Sequence, residues 1–513
     1  MASKIETPHP LYTAYEDQWS RCRHAMTGQD AVKTAKAKRG SRSFGDKYLP
    51  RLPAQTDDEY KAYLMRALWF NASGRTRDGL VGLIFAKNPH VDGVDPEDEF
   101  LDDMDQQETS LTEFAENLSE EVLGVGRVGI LVDNPAMPDT VKSAADAEHE
   151  GIRPYCTIYA AEDVINWEAG RVANQTRLVR LVLREPYTWP NGTADIQYRE
   201  LRLEPLDGVW TYMVNVWRRP EEDVQAIEKL AQQVIESHGS GNYNPNLKDF
   251  VKVPEEFLIP LAQGNRISTI PFWFINPRNT KPKPEKPPLL DLVDVNFSHY
   301  RTMADLEHGR FFCGLPTPVF SGFTFDEGAL IKLGSMAGIE GPIGAKAEYL
   351  EFRGDGLMAL ERAAEQKQLM MARLGSRILQ EDKRAVEAAE TLQIRTSAEN
   401  SVLSSIAHSI SRALSEILEF MLFWRDGVAD PEVSCQLNTE YTPAKMDGPT
   451  MMAYLQYLQA GEMPRLDVFT ALQQGEMVAP DRKFEDWVND LPEPTVGFSL
   501  PPKAPTKPAQ ESA

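Results

Sequence analysis

The clearest periodic pattern in the chain is a row of apolar residues spaced like one face of an α-helix. They repeat at intervals of four and three, as amphipathic helices do: Val402, Ile406, Ile410, Ala413, Ile417 and Met421. Thr396 and Glu399 in front of them form a capping-box pattern, which is typical of a helix start. The sequence therefore predicts one long amphipathic helix from Thr396 to about Trp424.

Other segments show helical spacing with less regularity. A helix is predicted to begin at Asp57, and further helices are predicted over 111–123, 289–310 and 357–379. Short strands and glycine turns are expected between the last two, up to Phe352. A strand near 433–437 and further helices over 450–477 are predicted towards the C-terminus.

The region 155–217 is rich in β-branched and aromatic residues in runs such as YCTIYA, LVRLVLREPY and WTYMVNVW. Runs of this kind, separated by turn residues, indicate a largely antiparallel sheet. Together with the helices, this sheet predicts an α+β fold. At 513 residues and 42% hydrophobic, the chain is long enough for more than one domain.

Two segments are set apart by their composition. The segment 279–288 is rich in lysine and proline, and its prolines disfavour both α-helix and hydrogen-bonded β-sheet. This segment is therefore predicted to be the clearest internal boundary. The N-terminal segment is predicted to be a solvated basic arm that becomes ordered only in an assembly, because it holds little apolar content beside its cations. These cations are Arg21, Arg23, Lys33, Lys36, Lys38, Arg39, Arg42, Lys47 and Arg51.

The formal charge of −23 argues against a high-affinity surface for phosphates, which needs clustered cations. The four cysteines lie far apart without a CxxC pair, which argues against a disulfide framework or a Cys-rich zinc site: Cys22, Cys156, Cys313 and Cys435. We find neither an export signal nor an apolar run of spanning length, so a soluble intracellular product is expected.

The motifs of nucleotide and metal chemistry are weak or missing. Gly124, Gly126 and Gly129 match GxGxxG, but a helix leads into them and a strand leaves, which is the reverse of a dinucleotide site. A helix C-cap with a tight turn is the better interpretation. GxxxxGK[ST] and GxSxG are absent. His299 and His308 are nine residues apart, about 13.5 Å along a helix, too far to share a metal. We therefore expect no cofactor, no metal and no catalytic residue.

Two long segments resemble a known family. They read YLPRLPAQTDDEYKAYLMRALWFNASGRTRDGLVGLIFAKNP (48–89) and PPLLDLVDVNFSHYRTMADLEHGRFFCGLPTPVFSG (287–322), and AEYLEFRGDGL and TSAENSVLSSIAHSISRAL continue the match. They are similar to the portal proteins of tailed bacteriophages, including portal-like proteins of prophages. The resemblance spreads over roughly 48–425, and its motifs describe scaffold rather than catalytic residues.

The resemblance implies an architecture of wing, stem helices, clip, tunnel loop and helical crown, assembling as a ring. On this sequence the parts are a basic N-terminal arm (1–56), an α+β wing (57–286), stem helix 1 (287–310), a clip (311–354), stem helix 2 (355–379), a tunnel loop (380–395), a long helix with wing (396–440), a crown (441–491) and a disordered Pro-rich tail (492–513).

The same resemblance implies a non-enzymatic virion protein at one capsid vertex, through which DNA is packaged and ejected. Implied partners are further copies in a ring, expected to be a dodecamer, the terminase large subunit, the head–tail adaptor, the major capsid and scaffold proteins, and double-stranded DNA bound without sequence specificity, but no membrane. The segment 311–349 would meet the terminase and later the adaptor.

The residues implied for this role lie in two places. Lys383 and Arg384 fall in the tunnel loop, where they would face DNA or, equally well, pair with Glu381 or Asp382. The positions carried over to stem helix 1 are Asp291, Asn296, His299, Tyr300 and Arg301.

Two other functions stay open. The chain could be another phage head or neck structural protein, although the order helix, small strand module, helix, loop, long helix speaks against it. It could also be a soluble enzyme whose site is built from dispersed residues, which would require a pocket that the sequence does not reveal.

Overall fold

The computed structural model describes residues 4–37, 45–135, 151–190, 192–220, 251–252, 257–313, 317–324, 341–350, 355–375, 389–427, 432–439, 441, 452, 456, 464–474, 478 and 482–489. The chain divides into two compact units, Met1–Thr439 and Glu440–Ala513. The described residues do not include the predicted tail (492–513). They also do not include Lys383 and Arg384 of the predicted tunnel loop.

The first unit combines sheets with helices, which confirms the α+β fold. Its helices are α1 (Pro10–Thr27), α2 (Gln29–Thr34), α3 (Asp57–Arg66), α4 (Ala72–Ile84), α5 (Glu99–Asp102), α6 (Leu111–Gly124), α7 (Leu290–Cys313), α8 (Asp355–Gly375) and α9 (Ala389–Asp426). In the second unit, the described helices are α10 (Arg465–Gln474) and α11 (Phe484–Asn489).

The predicted antiparallel sheet is confirmed. The order of the largest sheet is β4–β5–β6–β7–β8, formed by Val164–Val172, Gln175–Thr188, Ala194–Leu206, Val209–Arg218 and Val251–Lys252. A second sheet has the order β11–β2–β3, formed by Phe272–Ile275, Val128–Asp133 and Tyr155–Ala160. All neighbouring strands in both sheets run antiparallel.

Three strand pairs complete the described part of the first unit. They are β1 with β14 (His90–Asp92, Ser434–Gln436), β9 with β10 (Leu261–Ala262, Asn265–Arg266) and β12 with β13 (Thr317–Ser321, Lys346–Leu350). The last pair stands between α7 and α8 in the chain, where the sequence predicts short strands.

The N-terminal segment differs from the predicted arm. Residues 10–27 form α1, which buries Trp19 and Cys22 completely. Some of the cations that suggested a solvated arm are paired within the chain: Arg23 contacts Glu121 and Glu162 at 2.9 and 2.7 Å. Lys38, Arg39 and Arg42 lie outside the described residues. The apolar residues of α1 follow helical spacing, which the charge count concealed.

The centre of the first unit is the hydrophobic core around α7. Phe297 stacks on Tyr48 at 4.0 Å between ring centroids, and Trp69 lies 5.0 Å from Phe297 and 5.7 Å from Tyr300. Aromatic side chains of this size dominate the burial energy of a core. The N-terminal segment and α7 therefore form one cluster, although about 250 residues separate them in the sequence.

The GVGRVG segment is a turn from helix to strand, as interpreted from the sequence. Gly126 has φ +86°, and a Cβ there would lie 2.7 Å from the Cα of Pro287. Gly129 lies in β2, where a Cβ would come 2.3 Å from the Phe272 ring. These two glycines serve a tight turn and a close sheet contact instead of a pyrophosphate.

Two local predictions are wrong. The long helix begins at Ala389, so Thr396 and Glu399 lie inside α9 and not at its start. The segment 279–288 does not divide compact units, because the division falls after Thr439. Its prolines lack donors, but the Pro282 carbonyl accepts a hydrogen bond from Arg127 at 2.7 Å and so joins the segment to the core.

Within the described residues, Cys22, Cys156 and Cys435 are buried free thiols. Burial raises the pKa of Cys22 and Cys435 to about 12, so both remain protonated at neutral pH. The described helices include none with the length and apolar character that a membrane crossing requires.

We expect α1 to resist proteolysis in the unassembled chain. Trypsin should cut slowly after Arg21 and Arg23, because both lie in a helix whose buried face is part of the core. Trp19→Ala should cost about 3–5 kcal/mol and raise cleavage on the order of 10²-fold or more, since cleavage follows the open population. Gel analysis of timed digests measures this. Leu52→Ala, at a side chain that is 64% exposed, is the control. Rapid cutting of the wild-type chain after Arg21 would contradict the buried helix and support the predicted solvated arm.

We also expect the glycines of GVGRVG to differ sharply. Gly126→Ala should lower the free energy of unfolding by about 2–4 kcal/mol, because it combines a left-handed backbone with a clash against Pro287. Gly124→Ala is the matched control, since a Cβ there meets its nearest side-chain atoms at 3.5 Å, an ordinary contact. Urea unfolding followed by tryptophan fluorescence separates the two, and equal midpoints would contradict this account of the turn.

Candidate functional site: the paired helices α7 and α8

The two helices predicted as stem helices pack side by side. A Cβ at Gly309, near the end of α7, would lie 2.6 Å from Leu357 at the start of α8. A Cβ at Gly375, the last residue of α8, would lie 2.1 Å from Leu292 near the start of α7. The helices therefore run antiparallel. Arg310 and Glu361 join them at 2.8 Å.

Polar contacts cross the interface between these helices. Lys367 of α8 donates to the Ser298 carbonyl at 3.1 Å and to the Thr302 hydroxyl. Gln368 lies 3.2 Å from Nε2 of His299. Burial, helped by the nearby ammonium of Lys367, lowers the pKa of His299, so its ring is neutral at pH 7. These contacts fix the register of the pair.

The candidates on α7 divide between the core and the surface. Asn296, His299 and Tyr300 are at most 1% exposed, so they pack inside this chain and do not line its surface. Asp291 and Arg301 are exposed, and Asp291 pairs with Lys286 at 2.7 Å. The sequence did not distinguish these two groups.

The histidines of α7 have separate environments. His299 packs near Phe70, with ring centroids 5.6 Å apart, whereas His308 lies edge-on to Tyr63 and Phe312 at 5.0 and 4.8 Å. Among the described residues, no three His, Cys, Asp or Glu side chains are grouped as metal ligands would be. Both rings are packed against aromatic side chains.

The outer face of α8 carries a feature that the sequence analysis missed. Ala364 and Met371 are buried on its inner face, yet four large apolar side chains are about half exposed or more. These are Met358 (56%), Leu369 (53%), Met370 (49%) and Leu374 (49%). A helix with apolar residues on two faces is typical of one that is buried on both sides.

The apolar outer face of α8 also carries charges. Arg362, Glu365 and Arg373 are exposed, and within the described part of the chain no ion pair involves them. We call the exposed apolar residues Met358, Leu369, Met370 and Leu374 the outer face of α8.

Buried charges elsewhere form structural networks. Arg199 bridges Asp133 at 2.6 Å and Glu185 at 2.7 Å, and Tyr159 donates to Glu185 at 2.6 Å. Burial raises the pKa of Asp133, and Arg199 opposes that rise. Each of these carboxylates has partners, so the network holds β2, β5 and β6 together.

Comparison with known proteins gives a partial match. A family model described as a domain of unknown function (DUF4055) matches residues 288–425, which run from the start of α7 to the end of α9. This is less than half of the chain. No curated protein matches.

Solved structures match over most of the length at low identity. A chain of the virion of a native gene transfer agent particle is 11% identical, with a TM-score of 0.39, covering 83% of this chain and 95% of that one. A chain of the neck of an empty particle of this kind is 11% identical, with a TM-score of 0.38, and the coverage is the same. A chain of the neck of the native particle, computed with C12 symmetry, is 10% identical with a TM-score of 0.35, covering 81% and 93%. TM-scores below 0.5 carry no functional argument.

Proposed function

We propose that the chain is a portal subunit, which assembles into a ring around a DNA channel at one capsid vertex. The observation that carries this proposal is the outer face of α8. Monomeric proteins seldom leave several large apolar side chains exposed on one helix, and such surfaces mark interaction sites. The sequence segments that resemble portal proteins include both α7 and the β12–β13 pair.

In this proposal the outer face of α8 packs against a different surface of the next subunit. Such head-to-tail contacts are heterologous, and they close into a ring when the rotation per subunit divides a full turn. The expected ring is a dodecamer. Arg362, Glu365 and Arg373 then supply polar contacts around the apolar residues, as the rim of a protein interface does.

The β12–β13 pair would form the end of the ring that meets other proteins. Val319 is 41% exposed, and Ile343 is fully exposed in the stretch leading to β13. Exposed apolar residues on a small projecting module suit successive partners, here the terminase large subunit and then the head–tail adaptor. Capsid and scaffold proteins would surround the ring in the virion.

The acidic composition suits a channel through which DNA must slide. Walls lined with cations would hold the duplex through counterion release, whereas acidic walls leave it mobile. A chain with 77 acidic and 54 basic residues meets that condition. The chemical work of packaging would belong to a separate terminase, so we propose no enzymatic activity for this chain.

We expect Leu369→Glu with Met370→Glu to prevent ring formation. Each subunit interface would then bury unpaired carboxylates, which weakens association by at least about 2 kcal/mol, or roughly thirtyfold, per interface. Native mass spectrometry and negative-stain imaging measure subunit number and shape. Leu258→Glu makes the same chemical change at a side chain that is 55% exposed but lies beside β7, so its rings should persist.

Other outcomes would redirect the proposal. A wild-type oligomer without a central channel would favour another head or neck structural protein. A wild-type monomer that turns over a small molecule would favour a dispersed enzyme site. If rings still form after the double substitution on α8, the contact between subunits must lie on another surface.

A further inference from the structure

Two buried side chains hold the lysine- and proline-rich segment that precedes α7. Asn276, which is fully buried, donates its amide hydrogens to the carbonyls of Lys281 and Lys283 at 2.8 and 3.3 Å. Arg127, also fully buried, donates to the Pro282 carbonyl at 2.7 Å. The backbone of residues 278–286 is therefore anchored from inside the protein. We call this segment the basic ridge.

The anchor at Arg127 is itself packed firmly. Its guanidinium lies between two aromatic rings, 4.5 Å from the centroid of Trp167 and 4.3 Å from that of Phe274. Cation–π contacts of this kind are strongest where water is excluded. The ridge thus rests on a side chain that has little freedom to move.

The sequence of the ridge stiffens it further. Lys281, Lys283 and Lys286 each directly precede a proline. A residue before proline is restricted to extended backbone, and the proline fixes its own φ. Lysine cations held on a stiff backbone lose less entropy on binding than cations on a flexible loop.

The outward cations of the ridge have no side-chain partners among the described residues. Arg278, Lys281 and Lys283 are exposed, and no hydrogen bond or ion pair joins their side-chain cations to any residue that the structure describes. Arg310 differs from them, because its guanidinium pairs with Glu307 at 2.7 Å and with Glu361 at 2.8 Å. The carboxylate nearest in sequence, Glu285, accepts instead from the Asn279 amide at 2.7 Å.

The ridge borders a groove at one end of the helix pair. The groove has a volume of about 400 Å³, and Tyr15, Val402 and Ser405 complete its lining. The start of α7 and the end of α8 meet at this end, beside Leu292.

We propose that Arg278, Lys281 and Lys283 bind phosphate groups of double-stranded DNA. This inference rests on the proposed function, since it assigns a fixed contact to DNA in the channel. A short row of point charges neutralises few phosphates, so the contact is weak, independent of base sequence and sensitive to salt. It would steady the duplex where the mean charge of the chain repels it.

The test compares two triple variants that each remove three cations. Arg278→Gln, Lys281→Gln and Lys283→Gln neutralise the ridge and leave Asn276 and Arg127 in place. Lys61→Gln, Arg171→Gln and Arg412→Gln neutralise exposed cations elsewhere. The full-length proteins are titrated with a labelled duplex of about 30 base pairs, between about 50 and 200 mM salt. Urea midpoints and native masses of the same samples report folding and assembly.

We expect the ridge variant to reduce the slope of log affinity against log salt by about 2.7, since each lost phosphate contact contributes about 0.9. The wild-type affinity should then fall roughly fortyfold more than that of the ridge variant across this salt range. The control variant should keep the wild-type slope. Equal loss in both variants, or no DNA binding by the wild-type chain at low salt, would overturn the proposal.

Assembly separates this proposal from the portal proposal. If the wild-type chain forms no ring, but the ridge variant shows the expected loss of salt dependence, the result supports the DNA contact and contradicts the portal proposal. A ridge variant that keeps the slope but loses the ring would overturn the DNA contact. In that case the ridge would meet an acidic surface of a second copy.

Discussion

Packing of α7 between the N-terminal helices and α8 is the interaction on which the rest of the first unit depends. Phe297 and Tyr300 place one side of this helix against Tyr48 and Trp69, and Lys367 fixes its other side to α8. Because the stack joins residues that are more than 220 positions apart in the sequence, loosening it would release α1 and the helix pair together. Buried aromatic area of this extent supplies much of the stability of a domain.

The elements with strong periodicity were predictable, and those decided by distant contacts were not. The strands of 155–217 and the apolar row from Val402 to Met421 were recognised because their spacing is regular over many residues. The helix α1 was missed because the cations that begin at Arg21 drew attention to charge, while Cys22 belongs to a core cluster whose other members, such as Phe297, lie far along the chain. The start of α9 was predicted at Thr396 instead of Ala389. A capping pattern is a short local signal, and the same residues also occur inside a longer helix.

The candidate site shows the same division. The spacing of apolar residues predicted the helices α7 and α8. It did not show that His299 and Tyr300 face the core while Arg301 faces solvent. The outer face of α8 did leave a signal: Met358, Leu369, Met370 and Leu374 accompany Ala364 and Met371, so apolar residues occupy more than one side of the helix. Net charge is an average over the chain, so it likewise gave no sign of the ridge, where several exposed cations lie close together in the sequence.

The alternation of lysine and proline in the ridge has a chemical consequence as well as a mechanical one. Exposed basic segments are usually the first sites that trypsin-like proteases cut. Such enzymes cleave poorly when proline follows the lysine, and Lys281, Lys283 and Lys286 are each followed by one. The three lysines of the ridge are thus exposed in a form that trypsin-like enzymes cleave poorly, whereas the bond after Arg278, which Asn279 follows, has no such protection.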